Sequence, residues 1–587
     1  MKFQMTIVRV ILTGLLGISR FAVAGSSEAA EQSAAELLPS TTVAYVELTD
    51  PSELVRTVLD HPVRRWLENQ HHFRQALEEK DCLQFKAVVA VVEAELGRIW
   101  PRILASAAGQ GAYLGVDTKT EGVAVLLKSQ DEETQQQLVD ALLLLARVAE
   151  NQRGADPVKV SEHRSVKVYE FNQARVAVFG RWLAVSNKGP LLRRLIDNSH
   201  EKSDATLASQ EPFQQSRQAD SGDSTAWGYL NLSALREAGI GRSLSRATMD
   251  SPVGELFAGG ALSVLRQAPY LTAGLNVRRD RLCLQLASPH DPQWVEERRE
   301  YFFGPASAGA APPLLAIDGS LFSMSTYRDV SQWWLRAGEL FSEQISDELA
   351  QADSNLSTLF SGKDFGADIL SAVQPQIQLI VARQGFDAET LQPAIKLPAF
   401  GLVFRLKDPD RMLGDLRRTF HSLIEFLNII GSMNGLPRLD LNIDLQEDYQ
   451  LVTSSYVHEA GQDTIRLPIN FNFSPTIGFA GERFVVASTK KLARQLALGQ
   501  ATAVAATGGQ QNTAAVADVA LLRTVLADNR QQLIAQNMLQ EGHTRAEAEH
   551  EIKALLELLG FVRDVSLRFG TVEKTLRLVV VLRLSEG

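Results

Sequence analysis

Cysteine is scarce in this sequence: the 587 residues include only Cys82 and Cys283. Two thiols cannot staple a chain of this length, so a disulfide scaffold is excluded and hydrophobic burial has to stabilise the fold. Apolar residues make up 45% of the chain and charged residues 22%, which is typical of a globular protein. Cys283 lies in an alternating strand pattern and Cys82 follows a predicted helix, so both one disulfide and two separate buried thiols are compatible with the sequence.

Basic residues are too few to balance the acidic ones. Lysine and arginine total 59 against 69 aspartate and glutamate residues, and the formal net charge is −10. A chain this acidic repels phosphate backbones and anionic lipid surfaces. We therefore expect no nucleic-acid partner, although a local basic patch is compatible with the count.

Long apolar runs are also missing. The stretch Val10–Ile18 has about half of the roughly 20 residues that a transmembrane helix needs. It follows Lys2 and Arg9 and precedes Ala22-Val23-Ala24, which is the order of charge, apolar core and small residues in a signal peptide. The sequence predicts cleavage between Ala24 and Gly25, with no integral membrane segment after removal of the leader.

This leader determines the predicted location. A cleaved signal peptide predicts an extracytoplasmic protein, either periplasmic or secreted. Removal of residues 1–24 would delete three basic residues and no acidic one, which makes the net charge −13. Arg20, close to the cleavage site, leaves an uncleaved N-terminal anchor as the alternative.

Motifs of common catalytic and nucleotide sites are absent as well. The sequence contains no Gly-x-Ser-x-Gly nucleophile elbow and no His-Glu-x-x-His zinc motif. Gly362-Lys363 lacks the rest of a phosphate-binding loop, and Gly109-Gln110-Gly111 is followed by Leu114 where the dinucleotide fingerprint needs a third glycine. We therefore predict no catalytic residue, no cofactor-binding residue and no cofactor.

A segment of small, turn-forming residues divides the chain. Residues 304–313 are all glycine, proline, alanine or serine, which is the composition of a linker. On either side the same order of features appears. The predicted strand Gly122–Lys128 precedes a helix at 132–149, and Gly401–Lys407 precedes a helix at 411–430. Both glycines and both lysines are 279 residues apart.

The next block of each half repeats too. A tight turn joins two apolar strands at 175–185 and again at 476–487. Polar side chains then precede a helix, Ser186-Asn187 in the first half and Ser488-Thr489 in the second, and we expect them to cap its first free amides.

The ends of the halves are similar as well. Residues 229–236 resemble 516–523, and paired strands at 273–284 resemble those at 565–578. Four matches in one order predict an internal duplication, with two unrelated α+β domains as the alternative. The predicted organisation is a signal peptide at 1–24, a disordered segment at 25–35, a first repeat at 36–303, a linker at 304–313 and a second repeat at 314–587.

The strand patterns define the predicted fold class. Most strands alternate apolar and polar residues, and short turns join many of them, which is typical of antiparallel sheets. We predict an α+β protein with two tandem related domains. Each domain should be an antiparallel sheet with amphipathic helices packed on it, covering one face.

The start of the predicted mature chain carries a resemblance. The segment Glu36–Leu48 reads ELLPSTTVAYVEL, which resembles the opening of a family of exported bacterial proteins of unknown function. The segment Thr206–Phe213 and the hairpin-then-helix blocks at 175–196 and 476–498 are similar to that family as well. The resemblance implies an extracytoplasmic location and a duplicated α+β architecture, and it implies no activity.

One constellation has the residue types of a metal site. Glu547-x-x-His550 has the helical spacing that directs a carboxylate and an imidazole at one ion, and Glu68-x-x-His71 is a second such pair. The stretch 541–551 is dense in charges, so a solvated helix face is the simpler interpretation. The sequence predicts no metal, with Glu547 and His550 as the candidate ligands if one is bound.

Two functional hypotheses follow. The first is a non-catalytic binding or scaffold protein of the cell envelope, whose partner is an unidentified protein or envelope component. The second is a metal-assisted extracytoplasmic hydrolase that uses Glu547 and His550. The absence of catalytic motifs favours the first.

Overall fold

The structure is a computed structural model of the chain. It describes residues 32–585, apart from 130–131, 151–157, 172–173, 202, 221, 241–250, 387–391, 458–467 and 505–510. The predicted cleavage site at Ala24 and Gly25, and nearly all of the segment 25–35, lie outside the described residues. The fold is α+β, as predicted.

The chain forms two compact units. Unit 1 contains the residues up to 242 together with 268–289, and unit 2 contains 243–267 together with 290–586. Residues 304–313, the predicted linker, lie within unit 2, where the Gly309 amide donates to the Phe303 carbonyl at 2.6 Å and the Ala311 amide to the Gln511 carbonyl at 2.8 Å.

Unit 1 is built on an antiparallel sheet of ten strands. The order across the sheet is β10-β9-β8-β1-β2-β3-β7-β6-β5-β4, with every neighbouring pair antiparallel. The strands are β1 Thr42–Leu48, β2 Ala112–Asp117, β3 Gly122–Lys128, β4 Lys159–His163, β5 Val166–Phe171, β6 Ala174–Phe179, β7 Trp182–Ser186, β8 Ala226–Asn231, β9 Tyr270–Val277 and β10 Arg281–Pro289.

Unit 2 contains a second antiparallel sheet of ten strands. Its order is β22-β21-β20-β12-β13-β14-β18-β17-β16-β15, and the short strands β11 and β19 pair separately. The strands are β11 Leu314–Ala316, β12 Ser320–Tyr327, β13 Gln376–Ala382, β14 Ala399–Arg405, β15 Leu439–Leu445, β16 Gln450–Tyr456, β17 Thr476–Ala480, β18 Arg483–Ala487, β19 Thr502–Val504, β20 Gln511–Asp518, β21 Val562–Val572 and β22 Thr575–Leu584.

Helices fill the connections between these strands. In unit 1 they are α1 Ala34–Leu37, α2 Pro51–Leu59, α3 Pro62–Glu68, α4 His71–Glu78, α5 Lys80–Leu96, α6 Trp100–Ala107, α7 Glu132–Glu150, α8 Gly189–His200, α9 Glu211–Gln218 and α10 Leu232–Glu237. In unit 2 they are α11 Pro252–Gln267, α12 Glu300–Phe303, α13 Val330–Leu335, α14 Ala337–Leu340, α15 Glu343–Leu359, α16 Pro409–Met433, α17 Lys490–Ala497, α18 Val519–Asp528, α19 Arg530–Glu541 and α20 Arg545–Gly560. No helix in the described ranges is both long enough and apolar enough to cross a bilayer.

The two sheets share one strand order. If β1 is matched with β12, β2 with β13 and β3 with β14, the remaining strands follow in the same positions, from β4 and β15 to β10 and β22. Two sheets of ten strands with the same order are compatible with the predicted duplication. The origin by duplication stays a prediction.

Equivalent side chains support this match. The Asn187 side-chain oxygen accepts the Val123 amide at 2.8 Å, and the Ser488 hydroxyl accepts the Phe400 amide at 2.8 Å at the same place in the second sheet. The predicted alignment of 229–236 with 516–523 agrees with the caps, because Asn231 and Asp518 each accept the amide three residues further on.

One predicted alignment is shifted by two residues. Ala124 pairs with Ser186, the last residue of β7, and Gly401 pairs with Ala487, the last residue of β18. Gly401 therefore corresponds to Ala124 rather than to Gly122. Since side chains alternate with a period of two, a shift of two residues keeps every side chain on the same face, and the sequence pattern cannot detect it.

The prediction that helices cover one face of each sheet is wrong. In unit 1, Val176 and Leu183 pack with Val139 of α7, while Ala177 and Ala184 pack with the residues of α8 on the other face. In unit 2, residues of α16 and residues of α17 lie in two separate hydrophobic clusters, and both clusters include residues from the strands of the same sheet. The hairpin strands are continuous apolar runs, which is the pattern of strands buried on both faces.

Two local predictions have mixed outcomes. Thr489 caps α17 by accepting the Leu492 amide at 3.3 Å, as predicted. The prediction for helix α8 is wrong. This helix begins after Lys188, and Lys188 makes no side-chain cap. The side chains of Ser186 and Asn187 form hydrogen bonds with strand β3 instead. Cys82 and Cys283 are both free thiols.

Candidate functional site

Helix α11 is fixed in unit 2 by a buried ion pair. The Arg299 guanidinium bonds both carboxylate oxygens of Glu255, Nε to Oε1 at 2.6 Å and Nη2 to Oε2 at 2.9 Å, and both side chains are fully buried. The Tyr301 hydroxyl donates to the Glu255 carbonyl at 2.7 Å. Burial and the Glu255 carboxylate raise the pKa of Tyr301, so its hydroxyl stays a donor. A bidentate pair of this kind fixes orientation as well as distance.

The same helix approaches Phe302 very closely. A Cβ atom added at Gly260 would lie 2.4 Å from the Phe302 ring, which is closer than real Cβ contacts. Phe302 is fully buried and packs edge-to-face against Phe303 at 4.8 Å between ring centroids and against Phe569 at 5.8 Å. The position of α11 against the segment around Phe302 is therefore set by both packing and charge.

An apolar cleft of about 530 Å³ lies beside α11 in unit 2. One wall is the helix and the others are strands β12, β20, β21 and β22. All of its lining residues are apolar except Arg328 and Thr513. The lining residues are Phe257, Ala258, Ala261, Phe322, Met324, Arg328, Thr513, Ala515, Val516, Ala517, Val565, Leu567, Phe569 and Leu578.

Arg328 is the charged residue of this cleft, and it is 1% exposed. Its Nε donates to the Leu256 carbonyl at 2.7 Å, and its Nη1 donates to the Tyr327 carbonyl and to Asn512 Oδ1, each at 2.5 Å. The guanidinium lies 3.6 Å from the centre of the Phe302 ring. Within the part of the chain that the structure describes, Arg328 has no carboxylate partner.

Burial dominates the ionisation of Arg328. Desolvation lowers the pKa of its guanidinium to about 9, and the neighbouring Tyr301 opposes the shift. The group is still cationic at neutral pH. Its charge is therefore retained in an apolar surrounding without an anion to balance it.

The cleft is lined mainly by apolar side chains. The described residues that line the cleft include no histidine, cysteine, aspartate or glutamate. A volume within the range of about 300–1,000 Å³ and a mostly apolar lining with few polar groups are typical of small-molecule binding sites.

The predicted metal candidates are not arranged around a common point. Glu547 completes a capping box at the start of α20, where its Oε2 accepts both the Thr544 amide and the Thr544 hydroxyl at 2.8 Å. These hydrogen bonds lower the pKa of Glu547. His550 is exposed one turn further on. Among the described residues, no three His, Cys, Asp or Glu side chains are grouped so that they could hold a metal ion.

Unit 1 has its own cluster of aromatic and charged residues. Arg217 forms an ion pair with Glu47, and its guanidinium lies 3.9 Å from the centre of the Trp227 ring. The Tyr45 hydroxyl donates to Glu47 at 2.8 Å, and burial raises the pKa of Tyr45. Tyr45 and Trp227 are both buried, so the aromatic residues of this cluster belong to the core of unit 1.

The cleft is not evident from the sequence. Arg328 follows a strand directly and precedes a helix, so in the sequence it looks like an ordinary loop residue. Its partners come from positions 256, 302, 512 and 513, which only the fold brings together. The one signal in the sequence is the apolar alternation of β12 and β21, since Phe322 with Met324, and Val565 with Leu567, are two residues apart.

No family model and no curated protein matches the chain. Crystal form IV of TP0453 is similar over 43% of this chain and 79% of that chain, with 10% identity and a TM-score of 0.24. Crystal form III of the same protein covers 43% and 78%, with 10% identity and a TM-score of 0.22.

Proposed function

We propose that this chain is an exported, non-catalytic binding protein of the cell envelope, and that the cleft of unit 2 takes an apolar ligand. The observation that carries the proposal is the cleft itself: about 530 Å³ with twelve apolar lining residues and two polar ones. Apolar surface that stays uncovered is costly in water, so a cleft of this lining gains free energy when an apolar molecule displaces its water.

The absence of reactive side chains from the cleft supports binding over catalysis. General acid–base and nucleophilic mechanisms need a titratable group or an activated nucleophile within hydrogen-bond reach of the substrate. The Thr513 hydroxyl is bonded to Asn512 and to Thr326, and Arg328 is held by several carbonyl oxygens. Hydrogen bonds within the protein therefore fix both side chains in the lining of the cleft.

A neutral fluorescent probe tests the binding proposal. We expect N-phenyl-1-naphthylamine to gain fluorescence with the full chain, and Ala258→Trp to weaken its binding at least about tenfold by filling the cleft. Ala546→Trp, at an exposed position of α20, is the matched control and should bind like the wild type. No fluorescence gain with the wild type, or equal binding by the Ala258→Trp variant, would contradict the proposal.

The proposed location rests on the N-terminal leader. We expect chains recovered from the envelope or the medium of the native cell to begin at Gly25, because the small residues up to Ala24 fit a signal peptidase. Intact-mass measurement on the tagged protein gives this directly. A chain that begins at Met1 in the membrane fraction would support the uncleaved anchor, and a full-length chain in the cytoplasm would refute export.

A further inference from the structure

We propose that the ligand of the unit 2 cleft is a long-chain carboxylate, whose hydrocarbon chain lies along the apolar walls and whose carboxylate pairs with Arg328. This inference rests on the proposed function and adds the chemical class of the ligand. Three properties of the cleft lead to it.

The first property is an unbalanced buried charge. The guanidinium of Arg328 is bonded to carbonyl, amide and hydroxyl oxygens, all of them neutral. A cation in an apolar interior is unfavourable unless an anion offsets the loss of hydration. By contrast, the other fully buried arginine of this region, Arg299, has Glu255 as its counter-ion. An anionic ligand would be the counter-ion of Arg328, as Glu255 is the counter-ion of Arg299.

The second property is an incomplete set of hydrogen bonds. Nη1 of Arg328 has three acceptors for two hydrogens: the Tyr327 carbonyl, Asn512 Oδ1 and, at 3.4 Å, the Phe302 carbonyl. Nη2 has two hydrogens, and its one acceptor among the described residues is Thr513 Oγ1 at 3.3 Å. The second hydrogen of Nη2 therefore has no acceptor among the described residues, and both Arg328 and Thr513 line the cleft.

The third property is the lining beyond Arg328. Side chains of α11, β12 and β21, such as Phe257, Met324 and Leu567, provide only apolar contacts. A molecule that satisfies both parts of the cleft needs one anionic end and an apolar remainder. A carboxylate matches the single charge of Arg328, and its small size suits a guanidinium that is 1% exposed. A phosphate monoester would bring a second negative charge that no further cation of the cleft could offset.

The test compares ligands that differ only in the headgroup. Decanoate and decan-1-ol are titrated against the full chain loaded with N-phenyl-1-naphthylamine, and the displacement gives the two dissociation constants. We expect decanoate to bind on the order of ten to a hundred times more tightly than the alcohol, which is the usual gain of a hydrogen bond to a charged group. In Arg328→Gln this preference should disappear, whereas Arg405→Gln, on an exposed strand position, should keep it.

The outcomes separate the two proposals. Equal affinities of decanoate and the alcohol for the wild type would overturn the carboxylate inference and leave the binding function standing. Failure of both ligands to displace a bound probe would also overturn only the carboxylate inference, whereas failure of the probe itself to bind would overturn both proposals. If Arg328→Gln does not fold, the comparison of the two ligands on the wild type still decides the question, because it needs no variant.

Discussion

Replacing Glu255 with alanine should lower the free energy of unfolding by about 3–5 kcal/mol, the usual cost of removing one partner from a buried ion pair. Both side chains of the Glu255–Arg299 pair are fully buried. Without Glu255, the guanidinium keeps Glu296 at 3.2 Å, but that carboxylate is one-third exposed and already bonded by Arg266 and Arg298. Arg299 would then be a buried cation with weaker compensation, and α11 would lose one of the contacts that fix its position.

Urea unfolding of the full chain, followed by circular dichroism, measures this effect. The matched control is the double substitution Glu255→Met with Arg299→Met, which removes both charges and keeps the volume similar. Its stability should be close to that of the wild type, because a buried pair contributes little relative to an apolar pair of the same shape. A loss of less than about 1 kcal/mol in Glu255→Ala would show that the pair is hydrated in solution.

Phe302→Ala should destabilise the protein by about 3–5 kcal/mol and should also disturb the cleft. The ring is fully buried against Phe303, Phe569 and the tightly packed Gly260, so its removal leaves a cavity that these neighbours cannot fill without moving. Arg328 would lose the ring on which its guanidinium lies at 3.6 Å. We therefore expect probe binding to weaken as well.

Two further variants serve as controls for the unfolding of Phe302→Ala. Phe302→Leu keeps most of the volume and should cost less than half as much as the alanine substitution. Phe426→Ala removes a ring that is 54% exposed on α16 and should change the stability by less than about 0.5 kcal/mol. If all three variants unfold at the same urea concentration, the cluster around Phe302 does not limit the stability of unit 2.

Local patterns in the sequence predict much of this fold. Strand β3 has the predicted bounds, and α7 and α16 differ from the predicted helices by at most three residues at either end. These elements are defined by the periodicity of their own residues, which the sequence displays directly. The alignment of Asn231 with Asp518 was also predictable, because each polar residue ends an apolar strand and caps the helix after it.

The cleft was not predictable, for a physical reason. The ion pair that fixes α11, Glu255 with Arg299, joins residues 44 positions apart, and the contact of Arg328 with Asn512 joins residues 184 positions apart. No local pattern specifies such pairs, since burial of Glu255 and Arg328 depends on packing that forms only in the folded chain. Charged residues are assigned to the surface by default, and both of these lie at the interior of unit 2.

Helix α11 belongs to unit 2 although it precedes the last two strands of unit 1 in the sequence, and this affects the design of truncated proteins. A C-terminal fragment that starts at the alanine- and proline-rich segment 304–313 would omit Phe257, Glu255 and Arg299. Such a fragment would have the sheet of ten strands. It would lack helix α11, which forms one wall of the cleft, and the Glu255 carboxylate, which fixes that helix. A truncation that preserves the cavity has to carry residues 251–303, even though 268–289 of that stretch belong to unit 1.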